Sequence, residues 1–137
     1  MKSIQYAHKP ATFPLFESVA AGFPSPAADY EDKKISLDEY CIRNTAATYF
    51  MRVQGDSMRG LGIYDSDLVV VDRSLKAKTG DVVVAVLNDE FTIKTLWIQG
   101  RNITLAPANT DFPPIHVEEN TRFEIWGVVT NVIHRLR

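Results

Sequence analysis

The feature that most constrains the fold is a Val-rich run at residues 81–87, followed at once by a turn and a second strand-like run at residues 90–99. Buried strands are typically rich in β-branched residues. The intervening Asn88-Asp89 suits a two-residue hairpin turn, because both residue types tolerate the left-handed conformation that such turns require. These two runs therefore predict a β-hairpin in the second half of the chain.

Other strand-like segments surround this hairpin. They are residues 48–54, the Val-rich residues 68–72, and residues 102–106 and 123–136. In the first of these, Tyr49, Met51 and Val53 alternate with Phe50, Arg52 and Gln54. Gly127, inside the last of these segments, predicts a bulge or bend. About seven short strands with tight turns are typical of a mainly β domain. We expect curled sheets that form a sandwich or a partial barrel.

Residues 1–30 differ from the rest of the chain, since they hold four of its seven prolines. Proline fixes its own φ and disfavours helix in the residue before it. The sequence therefore predicts an extended N-terminal arm at residues 1–30 and a β domain at residues 31–137. Ser36 with Glu39 three positions later forms a capping box, which predicts a short helix that ends near Arg43.

Composition excludes several classes of protein. The apolar runs are far shorter than the ~20 residues that span a bilayer, and no secretory signal opens the sequence. A single cysteine, Cys41, excludes an internal disulfide and suits a reducing cytoplasm. The formal charge of −2 argues against direct sequence-independent DNA binding, which usually needs a basic face. We expect a cytoplasmic protein without membrane contact and without direct sequence-specific DNA binding.

A serine and a lysine are the candidate catalytic pair. Ser57 lies in the motif Gly-Asp-Ser-Met at residues 55–58, in a turn that a second glycine, Gly60, also bounds. Lys94 lies among apolar and β-branched residues, where desolvation favours the uncharged amine. An uncharged lysine can take the proton of a serine hydroxyl and so activate it as a nucleophile. A bond between small residues in the arm, Ala21–Gly22, is one that such a pair could cut.

Lys94 can act as a base near neutral pH only if its pKa is well below that of a free lysine. A free lysine has a pKa near ~10.4, so only about one molecule in 2,500 carries the neutral amine at pH 7. A useful base needs a pKa within about one unit of 7. No acid lies on the predicted strand face of Lys94, and a hydroxyl such as that of Thr92 or Thr95 could orient the amine.

Simpler interpretations stay open. A lysine in a hairpin is most often a solvated charge, and Gly-Asp-Ser is a common turn sequence. Asp65 and Asp67 suggest a metal, but two acids beside a strand are more often a solvated turn, so we predict no metal and no cofactor. A serine and histidine pair is a further alternative, although His8, His116 and His134 have no recognisable local partner.

Segments along nearly the whole chain carry a resemblance to one known family. They are residues 12–16, 22–30, 47–50, 55–58, 80–83, 90–94, 105–109 and 127–129. Through them the chain resembles the LexA-type self-cleaving serine peptidases and, through residues 23–30, their UmuD group. The motifs Gly-Asp-Ser-Met and Phe-Thr-Ile-Lys at this separation are the specific part of the resemblance.

The resemblance implies a role for each candidate residue. Ser57 is the nucleophile and Lys94 is the general base. The bond that is cut is Ala21–Gly22, since the family's cleavage site is a small residue followed by glycine. The backbone N–H groups of Ser57 and Met58 are the natural donors to the developing oxyanion.

The resemblance also implies partners. The filament of RecA on single-stranded DNA stimulates cleavage, and the shortened chain, residues 22–137, joins a UmuC-type subunit in an error-prone translesion DNA polymerase. Homodimerisation is implied as well, with the apolar last strand as a surface for it. A signal peptidase needs a membrane anchor and a LexA-type repressor needs an N-terminal helix-turn-helix domain, so we expect neither. A non-catalytic dimeric adaptor with a vestigial pair remains an open alternative.

Overall fold

The computed structural model describes residues 9–16 and 33–137, and the chain divides into two compact units, Met1–Arg43 and Asn44–Arg137. In the first unit, β1 (Phe13–Leu15) pairs antiparallel with β2 (Lys33–Ile35). The helix α1 (Leu37–Cys41) follows, and Ser36 caps it by accepting the N–H of Glu39 at 3.4 Å. The predicted cap is confirmed, and the helix ends at Cys41 rather than near Arg43. Much of the predicted arm lies outside the described residues.

The second unit is built on one antiparallel sheet of seven strands. The strands are β3 (Thr48–Arg52), β4 (Leu68–Asp72), β5 (Val82–Leu87), β6 (Glu90–Gln99), β7 (Asn102–Ala106), β8 (Ile115–Val117) and β9 (Phe123–Ile133). Their order in the sheet is β3-β4-β9-β5-β6-β7-β8. Two 3₁₀ turns, Thr45–Ala47 and Arg59–Leu61, flank β3. The mainly β prediction is confirmed, and the sheet is not closed into a barrel.

The predicted hairpin joins β5 to β6. Leu87 pairs with Glu90, so the loop has two residues, and both of them have positive φ (47° at Asn88 and 71° at Asp89). Positive φ at both loop positions is the mark of a type I′ turn, whose twist matches that of the flanking strands. The hairpin prediction is confirmed, and it places Lys94 opposite Val83 on β5.

Strand β9 lies in the middle of the sheet, between β4 and β5, although it is last in sequence. Its register against β5 shifts between Val84 and Ala85, next to Gly127, whose φ is +143°. A Cβ at Gly127 would lie 2.6 Å from Cγ1 of Val71, closer than side-chain atoms can approach. The predicted bulge at Gly127 is therefore confirmed, and glycine is required there by both conformation and space.

Two buried apolar clusters flank the sheet. One includes Met58, Val69 and Val71, and the other includes Leu96 and Leu105. Met58 is only 2% exposed, although it lies in a turn and not in a strand. Burial of a methionine side chain contributes ~1.5–3 kcal/mol, so Met58 anchors the turn that carries the adjacent Ser57 to the core.

Some local expectations were wrong. Strand β8 was not predicted, and the last strand ends at Ile133 rather than at residue 136. Asp65 is exposed as expected of a solvated turn, but Asp67 is 2% exposed. In the part of the chain that the structure describes, none of the helices has the length and apolar character needed to span a bilayer.

Candidate active site

Ser57 lies in the turn that follows β3, and the glycines around it set the course of the backbone. Gly55 has a φ of +90°, which glycine adopts at little cost, and its N–H donates to Oδ1 of Asp65 at 2.7 Å. The N–H of Arg59 donates to the carbonyl of Asp56 at 3.2 Å and closes the turn. These two hydrogen bonds fix the backbone on both sides of Ser57.

A second segment, around Ala108, fixes the turn from the other side. The N–H of Ala108 donates to the carbonyl of Ser57 at 2.7 Å, and its own carbonyl accepts the N–H of Gly60 at 2.6 Å. A Cβ at Gly60 would lie 2.5 Å from that same carbonyl oxygen, so this close approach requires glycine. The side-chain amide of Asn109 donates to the carbonyl of Asp56 at 3.0 Å. Sequence reasoning gave Asp65, Ala108 and Asn109 no part in the candidate active site, and Asp65 was considered only as a metal ligand or a solvated turn residue. The family resemblance at residues 105–109 was the signal that pointed to Ala108 and Asn109.

Lys94 reaches Ser57 from β6. Its side chain is 8% exposed, and Nζ lies 3.0 Å from Oγ of Ser57, 2.7 Å from Oγ1 of Thr92 and 3.0 Å from the carbonyl oxygen of Ile93. The structure therefore brings together the two residues that the sequence placed 37 positions apart. Of the two threonines considered as partners of the amine, it is Thr92 whose hydroxyl contacts it.

The environment favours the neutral form of the amine. Burial lowers the pKa of Lys94, because desolvation penalises the ammonium ion. In the described part of the chain no carboxylate forms a salt bridge with Lys94 to oppose this effect. A neutral amine has two hydrogens, and Thr92 Oγ1 and the Ile93 carbonyl can accept both. The lone pair of Nζ then faces Oγ of Ser57, which is the geometry that a base requires.

A groove of about 220 Å³ opens beside the pair. Its walls are the end of β3 with the residues after it and the first half of β6: Met51, Arg52, Val53, Gln54, Ser57, Met58, Phe91, Thr92, Ile93 and Lys94. Because Ser57 and Lys94 both line this groove, a peptide that enters it would lie beside them.

Within the described residues, no strand pairs with the first half of β6 on the side of this groove. Strand β7 pairs with β6 only from Thr95 onward. The N–H of Leu96 donates to the carbonyl of Asp81 at 2.8 Å and its carbonyl accepts the N–H of Gly80 at 2.7 Å, so the backbone of Leu96 faces the β5 side. Because backbone groups alternate along a strand, those of Phe91 and Ile93 face the opposite side, which is the groove. An extended segment can pair there as an added strand.

The expected oxyanion donors are unoccupied in the described part of the chain. Neither the N–H of Ser57 nor that of Met58 donates to an acceptor there, whereas the carbonyl of Met58 accepts the N–H groups of Leu61 and Ile63. Their role as donors stays a prediction. Ala21 and Gly22, the predicted cleavage site, lie outside the described residues.

The histidines that the structure describes are engaged elsewhere. His134 Nδ1 contacts Oδ1 of the buried Asp67 at 2.5 Å, and His116 Nδ1 lies 3.2 Å from Oγ1 of Thr104. Burial alone raises the pKa of Asp67, but hydrogen bonds from the Tyr64 N–H and from His134 outweigh it and hold that pKa below its ordinary value. Neither histidine lines the groove of Ser57, and His8 lies outside the described residues.

Residues 9–16 and 33–137 contain no group of His, Cys, Asp and Glu side chains that could hold a metal ion.

Comparison with known proteins gives consistent matches. Residues 14–130 match the Peptidase S24-like family. Protein SamA of Salmonella typhimurium (strain LT2) is 48% identical over 128 residues, which are 93% of this chain and 89% of SamA. Protein MucA of Escherichia coli is 49% identical over 116 residues, 84% of this chain and 79% of MucA. A LexA repressor of Azoarcus sp. (strain BH72) is 42% identical over 121 residues, 88% of this chain and 59% of the repressor.

Proposed function

This chain belongs to the Peptidase S24-like family, whose members are serine peptidases, and we propose that it cuts its own backbone between Ala21 and Gly22. The predicted resemblance to the UmuD group is confirmed. The observation that carries the proposal is the 3.0 Å contact between Nζ of Lys94 and Oγ of Ser57, with a buried amine whose pKa is lowered. A neutral lysine at hydrogen-bond distance from a serine is what general-base activation needs.

The proposed reaction has two halves. Oγ of Ser57 attacks the carbonyl carbon of Ala21 while Nζ of Lys94 takes the hydroxyl proton, and the N–H groups of Ser57 and Met58 stabilise the oxyanion. The C–N bond then breaks as Lys94 returns the proton to the amine of Gly22, which leaves Ala21 as an ester on Ser57. Water attacks this ester while Lys94 takes a proton from it. The C–O bond to Ser57 then breaks as Lys94 returns that proton to Oγ, and the carboxylic acid of Ala21 that is released loses its own proton to solvent.

Two features support the chain itself as the substrate. In the described part of the chain no strand pairs with the Phe91 and Ile93 side of β6, although the Ile93 carbonyl contacts Lys94, so an extended segment can pair there. The small residues Ala21 and Gly22 permit a close approach to Ser57. A tethered substrate has a high effective concentration, so a catalyst of modest power can cut one bond without strong intrinsic affinity.

The test uses three variants of the full chain. Ser57→Ala and Lys94→Ala should fold and stay uncut, and Lys94→Arg should also stay uncut, because arginine keeps the charge and does not lose its proton. Mass measurement over time should find residues 22–137 accumulating only from the wild type. Cleavage of Lys94→Ala at the wild-type rate would remove the lysine from the mechanism and leave a histidine as the better base.

We propose further that the RecA–single-stranded-DNA filament stimulates this cleavage in the cytoplasm. The shortened chain then acts as a homodimer and as an accessory subunit of a UmuC-type, error-prone translesion polymerase. Exposed apolar side chains near the end of β9, Val132 and Ile133, support an interaction surface there. Lesion bypass by such a polymerase should be greater with residues 22–137 than with uncut Ser57→Ala protein at equal concentration. Equal bypass would favour the alternative of a non-catalytic dimeric adaptor with a vestigial pair.

A further inference from the structure

A second cavity, of about 390 Å³, lies at the end of β9, and the catalytic groove shares only Arg52 with it. Arg135, Arg137 and His134 also line it, together with the buried carboxylate of Asp67. A concave site with three guanidinium groups is a natural place for an anion, because arginine presents several N–H donors in a fixed geometry.

The side-chain carboxylates of Asp67 and Asp65, close to this cavity, are already engaged. Oδ1 of Asp67 contacts His134, and Oδ2 accepts the N–H of Tyr64 at 2.8 Å. The neighbouring Asp65 accepts from the N–H of Gly55 and from Oγ of Ser66. In the described part of the chain, the three arginines form no salt bridge with any carboxylate, and Arg52 donates only to the carbonyl of Ser66, at 2.9 Å. Their charge is therefore available to an external ligand.

Aromatic rings lie beside these charges. The ring of Tyr64, which is 38% exposed, lies 5.2 Å from that of His134, and Cζ of Arg59 lies 5.9 Å from the centroid of the Tyr64 ring. A cationic groove next to an exposed aromatic ring is the arrangement that holds single-stranded nucleic acid, with phosphates on the arginines and a base stacked on the ring. An acidic peptide would use the arginines but has no need of the ring.

We propose that this cavity and Tyr64 bind single-stranded DNA, the arginines holding its phosphodiester backbone and Tyr64 stacking on one base. The net charge of −2 argued against a basic face when the chain was taken as a whole. Arg52, Arg135 and Arg137 nevertheless line this one cavity, and Arg59 lies over the ring of Tyr64, which contacts His134 of the same cavity. The proposal does not depend on peptidase activity.

The experiment measures binding of a fluorescent 20-residue oligothymidylate to the full chain by anisotropy, across a series of salt concentrations. The Arg135→Ala/Arg137→Ala variant should bind roughly 25-fold more weakly at 0.1 M salt, and its slope of log affinity against log salt should fall by about 1.4, since each phosphate contact on a single strand contributes ~0.7. A matched control, Lys76→Ala/Arg101→Ala, removes the same charge from exposed positions elsewhere and should bind like the wild type.

A second pair of variants tests the ring. Tyr64→Ala should weaken binding at least ~5-fold, whereas Tyr64→Phe, which keeps the stacking surface, should not. Size-exclusion chromatography and circular dichroism of each variant check that assembly and fold are unchanged. Equal losses in the two double variants would show attraction by net charge alone and overturn the proposal. So would the absence of binding at 0.05 M salt, or equal binding of an oligoglutamate peptide without any effect of Tyr64→Ala.

Discussion

Replacing Thr92 with valine removes one hydroxyl from the surroundings of Lys94 and leaves the size and branching of the side chain nearly unchanged. That hydroxyl makes the shortest of the three Nζ contacts, at 2.7 Å. A hydrogen bond that orients an amine is worth ~1–1.5 kcal/mol, so we expect the cleavage rate of Thr92→Val to fall about tenfold at a pH where the amine is fully neutral.

The loss of cleavage rate in Thr92→Val should depend on pH, and the contact between Thr92 and Lys94 determines the direction of that dependence. A hydrogen bond to a charged group is worth more, ~1.5–3 kcal/mol, than one between neutral groups. Removal of the hydroxyl therefore destabilises the ammonium form more than the amine and lowers the pKa of Lys94 further. More of the amine is neutral at pH 7 in the variant, so the rate deficit should be smaller at pH 7 than at pH 10.

The assay follows the appearance of residues 22–137 by mass spectrometry, from pH 7 to 10.5 without an activator. Thr92→Ser is the matched control, since it keeps the hydroxyl and should cleave near the wild-type rate, and Ser57→Ala gives the background. Cleavage of Thr92→Val at the wild-type rate at pH 10 would refute the orienting role. A deficit of the same size at every pH would point to a structural effect instead.

Four other predictions concern Lys94, the bulge at Gly127 and the proposed cleavage site. The wild-type cleavage rate should rise with pH and then level off as Lys94 becomes neutral, and a rate that stays flat from pH 7 to 10 in a folded protein would contradict the lysine base. Lys94→Met should be more stable to urea than the wild type at pH 7. Burial lowers the folded-state pKa of Lys94, so the wild type loses stability at pH values below that pKa. This loss disappears as pH rises towards the unfolded-state pKa of ~10.4, and the stability advantage of Lys94→Met should shrink with it. An advantage of the variant that grew with pH would contradict the reasoning. Gly127→Ala should lose about 2–5 kcal/mol in urea titration, because its φ of +143° and the 2.6 Å approach to Val71 act together; a loss below ~1 kcal/mol would mean that the bulge relaxes. Gly22→Glu should fold and stay uncut, since a bulky charge adjoins the proposed scissile carbonyl, and its cleavage at the same bond would exclude a steric requirement there.

Local features of the fold were readable from the sequence, and non-local ones were not. The turn at Asn88-Asp89 and the bulge at Gly127 depend on the conformational preferences of the residues themselves, and both were predicted. The central position of β9 depends on pairing with strands far away in sequence, which no local pattern encodes. Strand β8 has three residues and follows two prolines, so it is too short to display an alternating pattern.

The candidate site was predictable in its residue types but not in its geometry. Burial of Lys94 followed from its apolar neighbours, whereas its distance from Ser57 depends on the turn that Asp65 and Ala108 hold in place. Asp67 was misread for a similar reason. Its partner, His134, is 67 positions away, so a local reading could see only an acid in a turn.

The geometry of the pair restricts how the proposed cleavage can be controlled. Lys94 is buried with its pKa lowered and lies 3.0 Å from Ser57, so the proposed nucleophile and base are already in contact with each other. In the proposed mechanism an activator therefore supplies no catalytic group and assembles no pair, and it acts by raising how often the Ala21–Gly22 bond enters the groove. To move that bond from 1% docked to 99% docked, the activator must bind the docked form about 10⁴-fold more tightly, a preference of ~5.5 kcal/mol. A few contacts on a protein surface can supply this, and the proposed filament would set the rate of cleavage in this way without contributing a residue to the reaction.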